Sequence, residues 1–337
     1  MAKKLDKLTA TTFNENPYRR FCGVEFEVRG CALRVAYEGS SQIGGRLVVA
    51  EHCGREILSN PANGDRLLAE LKEICTTLRY HNCKVGPDCG GHIHVDIRDF
   101  GWKEVARLFS AYMLAQDALY ELGPAHRYCG RYMRKVPYPN RVGGVSKFIA
   151  NMQDDSDIQA SIRTVAKLNG FTFAHTWQRR EDRIARAYGR RHNAVWHPGT
   201  PRYRGINIEP WLSSMNPAVN SIPTVEFRFP TATTRYERVA GMAMLLLSLV
   251  EYSKDTALAE IKREPGGIDF LLRLAGENQL VRSFIFDRYD WYLNGDDDDE
   301  WEHGVSAGED DYEDDYDYED DYDYEDDYED DYDYVSF

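Results

Sequence analysis

Four short segments of this chain carry ionisable side chains at alternate positions with apolar ones between. They are Gly23-Val-Glu-Phe-Glu-Val28, Gly91-His-Ile-His-Val-Asp96, Tyr203-Arg-Gly-Ile-Asn207 and Val225-Glu-Phe-Arg-Phe229. A strand has a side-chain period of two, so Glu25 and Glu27 share a face opposite Val24, Phe26 and Val28. His92, His94 and Asp96 share one opposite Ile93, Val95 and Ile97, and Glu226 and Arg228 lie opposite Val225, Phe227 and Phe229. If these faces meet in one sheet, carboxylates, imidazoles and a guanidinium line a common cleft. Carboxylate oxygens bind hard cations such as Mg2+ or Mn2+, and polyphosphate needs both cations and Arg. The chemistry indicated is that of an ATP–metal site.

The elements that must position these residues follow from periodicity. Residues 1–18 read as a flexible basic leader ending near Pro17. The glycine-rich stretch from Gly39 to Gly45 indicates a loop or hairpin, with strands over Arg46–Glu51 and Arg55–Leu58. Asp65 is placed to cap a helix running to Tyr80, whose inner stripe holds Leu68, Leu71, Ile74, Cys75 and Leu78. A second helix is expected over Lys103–Leu122, with Val105, Leu108, Phe109, Tyr112 and Leu119 on one stripe and Gly123-Pro124 ending it. Between residues 125 and 200 helical spacing shows at Asp155–Leu168 and Arg179–Tyr188. A buried helix follows over Tyr236–Ser253, and a shorter helical region over Gly267–Arg288. Alternating strands interleaved with helices give an α+β fold: a mainly antiparallel β-sheet forming an open-faced cleft, with helices packed on its other face.

The net charge of −15 hides an asymmetry. Residues 296–337 hold 24 Asp and Glu and no Lys or Arg, which leaves 41 basic against 32 acidic residues elsewhere, about +9. A basic body suits ATP, an acidic substrate or nucleic acid, and charge alone does not choose among them. The tail repeats Tyr-Glu-Asp-Asp-Tyr-Asp at 312, 318 and 328, with a partial copy at 324. Like charge this dense resists burial, so residues 296–337 are expected to be disordered. They would serve as a solubilising tail, or as an intramolecular lid or substrate mimic for the basic body. Residues 19–295 form the expected catalytic domain. Seven cysteines, odd in number and without framework spacing, indicate a reducing compartment. The polar first 17 residues and the short apolar stretch Val239–Val250 point to a cytoplasmic protein without a membrane span.

Gly-Val-Glu-x-Glu, Gly-x-His-x-His and Val-Glu-Phe-Arg-Phe-Pro, in this order, resemble the carboxylate–amine ligases of the glutamine synthetase and glutamate–cysteine ligase superfamily. Within it the chain most resembles the amidoligase family, whose pattern also includes Glu56-Ile-Leu-Ser-Asn-Pro61 and an Arg-x-x-Cys-like segment at Arg127-Tyr-Cys129. The resemblance covers roughly residues 20–255 and implies an ATP-dependent ligase that forms an amide or peptide bond through an acyl phosphate. Glu25, Glu27, Glu56, His92 and Glu226 are then the implied ligands of Mg2+ or Mn2+. His94 would approach the phosphates, and Arg228 would neutralise the transferring phosphoryl group, so that Glu226, Arg228 and His94 form the catalytic set. Arg204 and Asn207 match an Arg-Gly-x-Asn stretch where nucleotide or substrate contacts are expected. Their offset of three puts them on opposite faces of a regular strand, so both serve only across a bulge. Arg127 would bind substrate or cap a helix. The chain lacks the Asn-Pro-Tyr continuation of the related synthetases after Pro230, which leaves nearby substrate contacts unassigned. The implied partners are small-molecule or peptide carboxylates and amines, with nucleic acid disfavoured.

Blander readings stand beside these. Same-face glutamates on a strand are usually a solvated face, Glu56 an ordinary strand-end residue, and Glu226 with Arg228 a surface ion pair. Cys89, His92 and His94 also make a zinc half-site, so a zinc-dependent hydrolase is one rival. A non-catalytic binding protein with a basic body and acidic tail is the other. The cluster Arg179, Arg180, Arg183, Arg186, Arg190 and Arg191 reads as an exposed helix and loop, or as a receptor for acidic peptide, RNA or the tail.

Overall fold

Strand alternation builds a single sheet from β1 (Cys22–Val28), β2 (Ser40–Ile43), β3 (Arg46–Glu51), β4 (Gly54–Leu58), β5 (Gly91–Asp96), β6 (Ile206–Asn207) and β7 (Thr224–Phe227). Its order is β2-β3-β4-β1-β5-β7-β6, and every pairing is antiparallel. The computed structural model describes residues 19–30, 40–43, 46–51, 54–86, 89–123, 205–214, 221–261 and 263–294, with backbone alone over 40–43 and 46–51 and at 212 and 291. The chain divides into two compact units, Met1–Glu302 and His303–Phe337, and all described residues belong to the first. The leader, Arg127 and Cys129, the helices expected over 155–168 and 179–188 with their arginines, Arg204 and the acidic tail lie outside the described residues.

Val24, Phe26, Val28, Ile57, Ile93, Val95, Val225 and Phe227 form the apolar face of the sheet and join one core with three helices. These are α1 (Gly64–Tyr80), α2 (Trp102–Glu121) and α4 (Tyr236–Asp255). Every residue from Met242 to Val250 is buried, which marks α4 as a helix enclosed by the core rather than lying on it. The short α3 (Glu209–Ser214) precedes β7, and α5 (Leu258–Ile261), α6 (Gly267–Ala275) and α7 (Gln279–Asn294) complete the layer. Among the described residues no helix is long and apolar enough to cross a membrane. Cys22, Cys75 and Cys89 are buried and outside any disulfide, whereas Cys83 is disulfide-bonded, which departs from the expectation of a reducing compartment.

Just before β1, Arg20 ties three elements together. Its Nε donates to Glu251 Oε1 of α4 at 2.6 Å, and its Nη1 donates to the Asp96 carbonyl at 2.6 Å and to Asp99 Oδ1 at 2.5 Å. Lys254 reaches the other oxygen of Asp99 at 2.5 Å. Partial burial alone would raise the Asp99 carboxyl, but these two cations hold it well below the usual carboxylate range.

Two local expectations need correction. The N-cap of α1 is Asn63, and Asp65 lies inside the first turn, where its charge complements the helix dipole instead. The region from Gly267 to Arg288 is two helices, because Gly276 at φ +51° turns the chain and the Asn278 side chain accepts from the Val281 N–H to start α7. The stretch from Gly39 to Gly45, expected as a loop or hairpin, supplies a hairpin arm, β2, which pairs antiparallel with β3.

Candidate functional site

The non-core face of the sheet gathers the charged residues through cross-strand register. Glu27 on β1 opposes Glu56 on β4, and Glu25 on β1 opposes His92 on β5. His94 opposes Glu226 on β7, which in turn opposes Asn207 on β6. Arg228 follows two residues after Glu226, its backbone N–H donating to the Gly205 carbonyl at 2.9 Å. Every side chain assigned to a metal ligand set or phosphate contact on β1, β4, β5 and β7 therefore converges on one region.

Contacts within that region are close. His92 Nδ1 lies 3.1 Å from Glu25 Oε2 and 3.6 Å from Glu226 Oε1, while its Nε2 lies 3.7 Å from Glu27 Oε1. Potential ligand atoms of Glu25, His92 and Glu226 all fall within 4.8 Å of one another, and so do those of Glu27, Glu56 and His92. His92 thus belongs to both groups. His94 Nε2 makes an ion-pair contact of 3.1 Å with Glu25 Oε1, and its Nδ1 faces Thr224 Oγ1 at 3.3 Å. Arg228 Nη1 donates to Glu226 Oε1, Asn207 Nδ2 donates to Glu226 Oε2 at 2.7 Å, and the Gly90 N–H donates to Glu27 Oε2.

Charge and burial pull against each other here. Burial alone would raise the Glu25 carboxyl, but His92 and His94 overcome it and hold Glu25 below the ordinary carboxylate range. The Glu226 side chain, 7% exposed, would likewise be raised by burial, yet Arg228, His94 and His92 keep its pKa lowered. Burial would lower His94, but Glu25 and Glu226 raise it. Four carboxylates face one guanidinium and two imidazoles, so the region is acidic.

The donor set fits hard divalent cations. Oxygen ligands predominate, as Mg2+ and Mn2+ prefer. A neutral His92 donates through one ring nitrogen only, so in either tautomer a lone pair faces a carboxylate of Glu25 or Glu27. A bound cation resolves that conflict. Gly90 leaves the space this arrangement needs, since a Cβ there would stand 2.8 Å from His92 Nε2 and 3.1 Å from Glu27 Oε2. Among the described residues Cys89 joins neither ligand group, so the zinc half-site drawn from Cys89, His92 and His94 is not gathered.

Some expected members are placed elsewhere and two were missed. Asp96 shares the strand face at the end of β5 but accepts from the Arg98 backbone N–H at 3.0 Å and from Arg98 Nε at 2.7 Å, so its carboxylate is engaged by the turn that follows the strand. Thr224 and Gly90 were not singled out. Thr224 is two residues before Glu226 on one strand, so the period of two already pointed to it; Gly90 acts through its main chain and carries no such signal. A cavity of about 70 Å³ lies behind the sheet, lined by Val24, Phe26, Ile93, Leu119, Phe229 and Met242 among others. It sits on the core side, away from the carboxylates.

A family profile described as "Putative amidoligase enzyme" matches residues 49–250, a span that includes Glu56, His92, His94, Asn207, Glu226 and Arg228 and begins after Glu25 and Glu27. No curated protein matches the chain. Among solved structures, the chain is similar to a bifunctional glutathione synthetase from Pasteurella multocida, with TM-score 0.44 and 8% identity over 87% of this chain and 49% of that one. It is also similar to the complex between Prokaryotic Ubiquitin-like Protein Pup and its ligase PafA, with TM-score 0.35 and 12% identity over 82% of this chain and 63% of that one. The chain therefore spans about half the length of the first and under two thirds of the second.

Proposed function

The chain belongs to the amidoligase family, whose profile it matches over residues 49–250, and on that premise we propose that it is an ATP-dependent carboxylate–amine ligase using Mg2+ or Mn2+. The observation that carries this reading is the convergence of Glu25, His92 and Glu226, and of Glu27, Glu56 and His92, on one sheet face. Its substrates would be a small-molecule or peptide carboxylate and an amine.

Forming an amide from a free carboxylate is uphill in water, so the acid must first be activated. In the proposed route a carboxylate oxygen of the acid attacks the γ-phosphorus of ATP, the bond to ADP breaks, and an acyl phosphate forms. The amine nitrogen then attacks the acyl carbon, loses a proton, and inorganic phosphate leaves. Glu25, His92 and Glu226 would hold one cation, with Glu27 and Glu56 available to a second. Such cations, when bound, neutralise charge on the phosphate oxygens. Arg228 already donates through Nη1 to Glu226, and its Nε is buried with no hydrogen-bond partner among the described residues. That donor is suited to an equatorial phosphoryl oxygen, where charge develops during transfer. His94, engaged by Glu25 at Nε2 and by Thr224 at Nδ1, would orient the Glu25 carboxylate for its cation.

Incubation with ATP, Mg2+ and mixtures of acids, peptides and amines tests the proposal, with products followed by mass spectrometry and phosphate release in parallel. Condensed product that requires both ATP and the divalent cation is the expected result. Failure to bind ATP at millimolar Mg2+ would return the chain to the non-catalytic binding reading.

A further inference from the structure

Asn207 is 2% exposed, and both ends of its amide are engaged within the protein. Its Oδ1 accepts the Glu209 N–H at 2.9 Å, which fixes the start of α3. Its Nδ2 donates to Glu226 Oε2 at 2.7 Å, across a direct β6–β7 pair. The chemistry of the two partners forces this amide orientation, because a backbone N–H only donates and a carboxylate only accepts. The other oxygen of Glu226, Oε1, takes the bond from Arg228 Nη1 and is the one 3.6 Å from His92 Nδ1. Oε2 is therefore tethered toward β6, while Oε1 is turned toward His92 and Glu25.

We propose that Asn207 is a positioning residue that selects Oε1 of Glu226 as the atom offered to a divalent cation. This replaces the nucleotide or substrate contact expected from the Arg-Gly-x-Asn stretch, since a buried amide bonded at both ends is not available for such a contact. The inference rests on the ligase reading only in taking Glu25, His92 and Glu226 as a cation site. Outer partners of this kind orient a ligand and set its affinity without touching the ion.

Two substitutions separate this role from the support of α3. Asn207→Asp retains an oxygen for the Glu209 N–H but removes the donor to Glu226. Asn207→Ser also retains an acceptor and is too short to reach Glu226. Mn2+ binding to the full chain, without nucleotide, is read by electron paramagnetic resonance, with Tm as a check on folding. N207S is expected to weaken Mn2+ affinity by about 10–100-fold with Tm near wild type; N207D is expected to weaken it too, with a lower Tm because it sets a second buried carboxylate beside Glu226. At saturating Mn2+ the KM for ATP is expected to return to the wild-type value. If N207D does not fold, N207S carries the test. Wild-type Mn2+ affinity in a folded variant overturns the role given to Asn207 alone. So does a loss of ATP affinity that saturating Mn2+ does not repair, which would make Asn207 a nucleotide contact. A wild-type chain that binds no Mn2+ overturns the ligase reading itself, and this inference with it.

Discussion

Glu226 is gripped at both oxygens, by Arg228 on one and Asn207 on the other. Replacing it with Gln preserves the shape but removes the charge that these donors and any cation share. On the proposed ligase reading, Glu226→Gln is expected to abolish acyl phosphate formation, with ATP turnover reduced at least about 100-fold and the circular dichroism spectrum little changed. Substantial turnover in that variant would count heavily against the ligase. Gly90→Ala tests the site from another side, because its methyl group would crowd His92 Nε2 at 2.8 Å. The displaced atoms are side-chain ends, so Mn2+ affinity should fall while the fold survives; unchanged affinity would place the cation elsewhere. Alternation alone put Glu25, Glu27, His92, His94, Glu226 and Arg228 on their proper strand faces. The bond from Asn207 to Glu226, on which its proposed role rests, was not legible, because it is set by the register between two strands and a single strand does not encode register.

The larger elements were read well where periodicity is long and poorly where it is short. The stripes of α1 and α2 are buried as their spacing requires, from Leu68 to Leu78 and from Val105 to Leu119. The break between α6 and α7 escaped because apolar spacing continues on both flanks, and only the positive φ of Gly276 marks the turn. The four residues of β2 are too few to show a period. Arg20 was likewise invisible as a clamp, since Glu251, Asp96 and Asp99 are distant in sequence. Its effect on stability has a definite pH signature. A carboxyl lowered on folding contributes stability above its unfolded pKa, and loses it as pH falls through the folded value. Wild type should therefore exceed Asp99→Asn in Tm near neutrality, with the difference shrinking below about pH 4. A difference that persists unchanged to low pH would remove charge as its cause. Asp99 is partly exposed, so the gap at neutral pH should be modest.

Across the whole molecule, the sheet assigns its two faces to different work. One joins the helical core, and the other carries the acidic residues. All of those residues lie in the first compact unit, Met1–Glu302. Truncation after Glu302 is accordingly expected to leave Mn2+ affinity and ATP turnover as in the full chain, and a marked loss of either would give the acidic repeats a part in the reaction. The shared position of His92 reaches further than geometry. A neutral imidazole has one free lone pair, so it can serve only one of two neighbouring ions at a time. Whichever ion takes it settles the tautomer, and with it the ring proton presented to the second. In the proposed two-cation arrangement the seats are then inequivalent, and they should fill in sequence, the stronger before the weaker.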